Sequence, residues 1–318
     1  MTAFESVPAI QQAFAEMDYI CSHNIATCLF VAHHLGRPIL AEGPAGVGKT
    51  ELAKTVARYL DRELVRLQCY EGLDESRAIY EWKYGKQLLY IQLLKDKLND
   101  VLAGAQGLEA SMERLHAHED VFFSENFLEP RPLLKALMAP KGCVLLIDEV
   151  DKADHEFEAL LLEILSDFQV TVPEIGTIAA TERPFVVLTS NNTREMSDAL
   201  KRRCLHLYIP YPDRELESQI VGVKVPGIEQ ALREQLVGFI QQVRQIDLKK
   251  HPSVSETVDW ARVLVLLHAH ALEEAVVRDT LNIFLKFEED IRRVRTELPG
   301  LLRSADKAAD GPAHAADV

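Results

Sequence analysis

Eight consecutive residues, Gly43-Pro-Ala-Gly-Val-Gly-Lys49-Thr50, restrict what this chain can fold into more than any other stretch. They fit G-x-x-x-x-G-K-[ST], a glycine-rich loop that joins a buried strand to a helix. Both flanks agree with that reading. Pro38-Ile-Leu-Ala-Glu42 reads as a short apolar strand, and residues 51–60 carry apolar side chains at helical spacing. In such a loop the backbone N–H groups and the open N-terminus of the helix offer donors and partial positive charge to a phosphate chain. Gly43, Pro44, Ala45, Gly46, Val47 and Gly48 would form the cradle. Lys49 adds a cation near the β- and γ-phosphates, and the Thr50 hydroxyl can ligate Mg²⁺. ATP and Mg²⁺ are the cofactors this pattern calls for.

With 318 residues the chain can hold one large domain and a smaller one. Helical patterning at residues 5–36, with Phe14, Met17, Ile20 and Leu29 among its apolar positions, precedes the P-loop strand. Further strands are expected at 62–68, 142–148, 185–191 and 204–209. Five strands with intervening helices predict an α/β fold, a three-layer αβα core around a mostly parallel five-stranded sheet. Two stretches exceed what a minimal P-loop domain needs. Residues 70–135 hold an insertion in which Leu88, Leu89, Leu93, Leu94, Leu98 and Val101 make a helical stripe, and residues 170–184 read as a β-hairpin. Each is either structural filling or a substrate-facing insertion. After Pro210-Tyr-Pro212 the strands stop, and helices are expected at 213–223, 228–246, 254–272 and 276–295. The expected organisation is therefore a nucleotide-binding core at 1–209, an all-α lid domain at 210–302 and a disordered tail at 303–318.

Leu145-Leu-Ile-Asp148-Glu149 is an apolar run ending in acids. An acid at the end of a buried strand can hold Mg²⁺, directly or through water, and Asp148 takes that role. Glu149 can orient and deprotonate an attacking water. The competing reading is a solvated turn. Asn191 ends the next strand and can hydrogen-bond the γ-phosphate or that water; the alternative is a turn-forming Asn-Asn pair, with Asn192 the less favoured of the two.

Other features limit the function classes. A formal charge of −14 argues against a nucleic-acid partner and favours proteins. Five cysteines, at 21, 28, 69, 143 and 204, form no C-x-x-C pair, which suits reduced, buried thiols in a cytoplasmic protein. No apolar run reaches the roughly 18 residues of a membrane span. The histidine pairs His33-His34, His116/His118 and His268/His270 are not read as metal sites, because alternating helical positions face different ways.

Lys49/Thr50, Asp148/Glu149, Asn191 and the Arg202-Arg203 pair, in this order and spacing, resemble an AAA+ ATPase. The two insertions resemble the MoxR-like branch. Leu67-Gln-Cys-Tyr-Glu-Gly-Leu-Asp74, Tyr80-Glu-Trp82, Leu165-Ser-Asp-Phe-Gln169, Ala199-Leu-Lys-Arg-Arg-Cys204 and Ser253-Val-Ser-Glu-Thr-Val-Asp-Trp260 are similar to the CoxD-like group, found with aerobic carbon monoxide dehydrogenase and related molybdenum hydroxylases. The resemblance spans roughly residues 10–295. It implies a hexameric homo-oligomeric ring that spends ATP on remodelling a metalloenzyme client, beside a partner bearing a von Willebrand factor A domain. In such a ring an arginine at the Lys201-Arg202-Arg203 cluster reaches the neighbour's γ-phosphate and contributes about 10³–10⁵ in rate, Arg203 being favoured over Arg202; the alternative is a solvated basic face. Rival readings are an activase of the nitric-oxide-reductase or Rubisco type, a non-hydrolysing ATP-dependent assembly switch, and a DNA motor, which the acidic charge disfavours.

One departure from the family stands out. AAA+ lids place a sensor-2 arginine in a Ser-x-Arg setting, and the matching triplet here is Ser253-Val-Ser255. Arg262, seven residues on and near the same helical face, either substitutes or serves as a surface ion-pair partner.

Overall fold

The computed structural model describes residues 4–90, 92, 125–173 and 175–309. Its central sheet is built from β1 (Ile39–Glu42), β2 (Leu64–Gln68), β5 (Val144–Asp148), β8 (Phe185–Ser190) and β9 (Leu205–Tyr208), in the order β2-β5-β8-β1-β9. β2 pairs parallel with β5 from Leu64↔Val144 to Gln68↔Asp148, and β5 pairs parallel with β8 from Val144↔Phe185 to Ile147↔Leu188. β5 and β8 are buried along their whole length, which is why both read as unbroken apolar runs instead of alternating ones. The α/β architecture expected from the sequence is the one observed.

Two compact units divide the chain. One comprises Met1–Val31, Ala41–Thr55 and Leu207–Val318, the other Ala32–Leu40 and Val56–His206. The second unit holds a core in which Leu145, Ile147, Val186 and Leu188 of the sheet pack with Phe157, Leu161 and Ile164 of the helix His155–Asp167. Asp154 caps that helix by accepting from Phe157 N at 2.9 Å.

The same unit carries two small antiparallel pairs. β3 (Tyr80–Trp82) pairs with β4 (Leu128–Pro130), so the insertion starts and finishes as a ladder that the sequence reading did not foresee. Residues 84–90 are helical, while Leu93, Leu94, Leu98, Val101, His116 and His118 lie outside the described residues. The hairpin expected at 170–184 is present as β6 (Gln169–Val172) and β7 (Gly176–Ala179).

The helix Lys49–Leu60 starts on the P-loop lysine, and in the first unit the helices Arg214–Lys224, Gln230–Val243, Val254–Leu266, Glu274–Phe284 and Glu288–Ala309 follow β9. Their core centres on Trp260, Phe239 and Phe284, with Trp260 and Phe284 ring centroids 4.4 Å apart. The run expected as one helix at 276–295 is two. Leu285 takes an extended conformation (φ −107°, ψ 134°) that puts its side chain in the core, 1% exposed, and breaks the helix there. The last helix continues to Ala309, beyond the start of the expected tail. Among the described residues no helix is long and apolar enough to cross a membrane.

Candidate functional site

The P-loop is fixed by close backbone packing within its own unit. A Cβ on Gly43 (φ +150°) would lie 2.1 Å from the carbonyl oxygen of Ile209, so only glycine fits. Gly46 (φ +73°) meets the start of the helix Val254–Leu266. Ser255 donates its backbone N–H and its hydroxyl to Gly46 O, each at 3.3 Å, and a Cβ on Gly46 would come within 2.6 Å of Ser253. Ser253 caps that helix in a reciprocal pair with Glu256, the signature visible in Ser253-Val-Ser-Glu. The Ser253-Val-Ser255 triplet thus meets the loop through the two hydrogen bonds of Ser255, with Ser253 packed beside Gly46.

Lys49 is buried, and its ammonium donates to the carbonyls of Gly43 (2.7 Å) and Pro44 (2.6 Å). Beside the loop lies a cavity of about 350 Å³, lined among others by Tyr19, Ile20, Val47, Ile209, Val258 and Arg262. Burial pushes the Tyr19 phenol well above its ordinary value, so the ring enters this wall as a neutral, largely apolar surface. Arg262 is among the residues lining the cavity and also pairs with Asp259 at 3.1 Å. A positive-φ glycine cradle, a lysine at a helix start and an apolar cavity fit a nucleotide.

The second unit gathers the acids. Asp148, 3% exposed at the end of β5, accepts from Thr189 Oγ1 and from Arg66 Nη2, each at 2.5 Å. Glu149 follows in a left-handed conformation (φ 57°, ψ 47°), uncommon for a non-glycine residue and a mark of functional sites. Its N–H donates to Thr189 Oγ1 at 2.9 Å, so one hydroxyl bridges the two acids. Its carboxylate accepts from Gln68 Nε2 (2.9 Å) and pairs with Lys152 Nζ (2.6 Å) on one oxygen, while Asn191 Nδ2 is 3.5 Å from the other. Asn191, singled out apart from the Asp148-Glu149 run in the sequence, thus meets Glu149 in one cluster. Asn192 holds the loop in a second left-handed turn (φ 59°).

Arg66, Gln68, Thr189 and Lys152 were missed by sequence reasoning. For Arg66 and Gln68 the usable signal was the apolar–polar alternation Val65-Arg-Leu-Gln68, whose apolar positions are buried and polar ones exposed in β2. The parallel register then sets Gln68 opposite Asp148.

Arg202 and Arg203 end the helix Asp198–Arg203, and both are exposed. Arg203 Nε donates to Ser166 Oγ at 2.8 Å. Arg37 caps the helix by donating to the carbonyls of Arg202, Arg203 and Cys204.

Sheet order, glycine loop and strand-end acids define a P-loop nucleotide-binding fold. A family model described as "AAA domain (dynein-related subfamily)" matches residues 38–204, and the chain belongs to that AAA family. Uncharacterized proteins of Staphylococcus haemolyticus and Staphylococcus aureus are similar to it at 25% and 24% identity over 270 residues, covering 81% of this chain and 88% of theirs. Among solved structures, one from Cytophaga hutchinsonii, named as a candidate ATPase, has a TM-score of 0.45 at 15% identity, covering 91% of this chain and 85% of its own. Domain III of the Thermotoga maritima replication initiation protein DnaA has a TM-score of 0.43 at 15% identity, covering 82% of this chain and 90% of its own.

Proposed function

We propose that this chain is a MoxR-like AAA+ ATPase of the CoxD-like group, a chaperone that uses Mg²⁺-ATP to remodel a metalloenzyme during maturation of its metal centre. A molybdenum hydroxylase such as aerobic carbon monoxide dehydrogenase is the client that the quoted sequence phrases favour. The observation that carries the hydrolytic part is the convergence of Asp148, Glu149 and Asn191 at the ends of two adjacent parallel strands.

Bound Mg²⁺-ATP would supply the phosphoanhydride and a Lewis acid on its phosphate oxygens. Lys49, with the N–H groups of residues 43–50, would neutralise and hold the phosphates. Thr50 and Asp148 have the oxygen donors a divalent cation prefers. Glu149 would take the proton from water, with Asn191 orienting it. Arg262 would contribute to the nucleotide cavity in place of the absent sensor-2 arginine. Arg203, or Arg202, would act in trans on the neighbouring subunit of a hexameric ring. Under this reading residues 1–209 form the nucleotide-binding core and 210–302 the lid. A cytoplasmic location and a von Willebrand factor A partner complete the assignment.

Glu149→Gln tests the motor. Turnover should fall at least about a hundredfold while ATP binding persists, since the amide cannot accept the proton. Turnover at the wild-type rate would remove Glu149 from the role. Phosphate release per subunit should also climb with protein concentration, as an arginine acting in trans requires. Flat specific activity from a sized monomer would exclude a shared site.

A further inference from the structure

We infer that Asp151 is a positioning residue that holds the Asn191 loop in register with the Glu149 turn, and so sets the spacing of the two groups that handle the attacking water. The inference rests on the hydrolytic reading and adds a member to it.

Asp151 lies in the 3₁₀ turn Val150–Lys152, directly after Glu149, and is 3% exposed. Besides its own backbone N–H, three donors reach it from one short stretch of the neighbouring loop. Oδ1 accepts from Asn191 N at 3.3 Å; Oδ2 accepts from Thr193 N at 3.0 Å and from Thr193 Oγ1 at 2.5 Å. The residue between those donors, Asn192, is left-handed at φ 59°, and Glu149, two residues before Asp151, is left-handed at φ 57°. Asn tolerates that conformation, but for Glu149 it is disfavoured and persists only where the surroundings over-determine it. Asp151 joins the two turns through the loop backbone, beside the longer 3.5 Å contact of Asn191 Nδ2 with Glu149 Oε1. Burial raises the tendency of its carboxyl to hold a proton, but the hydrogen bonds from Thr193 and Asn191 outweigh it and keep the group below the usual carboxylate range. It therefore presents acceptors only, which three donors require.

The loop is clamped at its far end as well. Glu158, also buried, accepts from Ser197 N at 3.0 Å and pairs with Arg194 at 2.6 Å. Those contacts lie beyond Asn191. Asp151 alone among these acids bonds the Asn191 backbone, so its removal should loosen Asn191 and leave the rest of the loop tethered.

Asp151→Asn keeps size and turns one acceptor oxygen into a donor facing an N–H. The full chain should be followed by steady-state ATP turnover and by amide exchange, alone and with Asn191→Ala. We expect kcat to fall about 10- to 100-fold with KM within about twofold, as for loss of geometry in the reacting complex. Exchange at Asn191 and Thr193 should quicken while β5 and β8 stay protected. In the Asn191→Ala chain, Asp151→Asn should change turnover less than about threefold, because the group it positions is gone. Multiplying effects, or near-normal turnover with a loosened loop, would overturn the inference. Should Asp151→Asn fail to fold, Thr193→Val removes only the hydroxyl donor, and a drop of about three- to tenfold is expected. No turnover in the unaltered chain would sink the hydrolytic reading instead; the positioning contact would then be judged by exchange at Asn191 and Thr193 alone, and unchanged exchange would reject it.

Discussion

Arg66 on β2 sets its guanidinium 2.5 Å from Oδ2 of Asp148, so the acid that ends β5 already has a cationic partner from the adjacent strand. That carboxylate is the one proposed to hold Mg²⁺, and the two cations compete for it. Arg66→Ala should lower the Mg²⁺ concentration for half-maximal turnover, by no more than about fivefold. The bound follows from solvent around the guanidinium: Arg66 is 50% exposed though Asp148 is 4%, which places the pair near the upper end, about 1 kcal/mol, of the range for exposed pairs. A Mg²⁺ titration of the two proteins checks it, and a higher requirement in the variant would show that Arg66 assists the site.

Arg262 has two contacts to choose between. If its place at the cavity wall matters for nucleotide, Arg262→Ala should raise the KM for ATP by about three- to tenfold, the cost of one charge-assisted contact. If the exposed pair with Asp259 is its whole role, KM stays put and thermal stability shifts by less than about 0.5 kcal/mol.

Glu217 and Arg244 form a fully buried ion pair at 2.6 Å, 0% and 5% exposed, with Thr257 and Gln241 satisfying the remaining carboxylate positions. The group ties three helices together. Glu217→Ala strands the guanidinium and should cost about 3–5 kcal/mol. Loss on that scale lowers the melting temperature by roughly 6–20 °C, measurable by circular dichroism. A shift below about 2 °C would mean that water or another group takes over.

Acid should weaken the second unit. Burial raises the Glu158 carboxyl, but hydrogen bonds and charge from Ser197 and Arg194 outweigh that and hold it below its ordinary value; Asp151 is held down likewise. A carboxyl depressed in the folded state stabilises above its unfolded pKa, and the contribution is lost as pH falls through the folded one. Stability should thus be level from neutral pH to about 5 and decline below about 4, seen as a falling denaturant midpoint. Glu158→Gln should flatten that decline; an unchanged acid limb would assign it to other groups.

Much of this was legible because single segments encode it. A P-loop, a strand ending in Asp148-Glu149 and the apolar runs of β5 and β8 are each local, and the local pattern dictates them. What escaped notice is non-local or lacks a cue. Arg66 and Thr189 reach Asp148 from 82 and 41 residues away, through strand register that no spacing rule supplies. The helix expected to run to 272 stops at Leu266, where His268 takes the left-handed position (φ 52°) and Ala269 N returns to Leu264 O at 3.0 Å. That terminus is normally announced by glycine; histidine gives no such warning. The β3–β4 ladder joins three-residue strands across the long insertion, too short to show any period.

The packing of Gly43 on the Ile209 carbonyl, 2.1 Å from where a Cβ would stand, separates two explanations usually treated as one. A library randomised at this position and screened for folded chain alone, with nucleotide withheld throughout, should still return glycine. The first letter of the phosphate-binding motif is here imposed by the backbone that runs beside it.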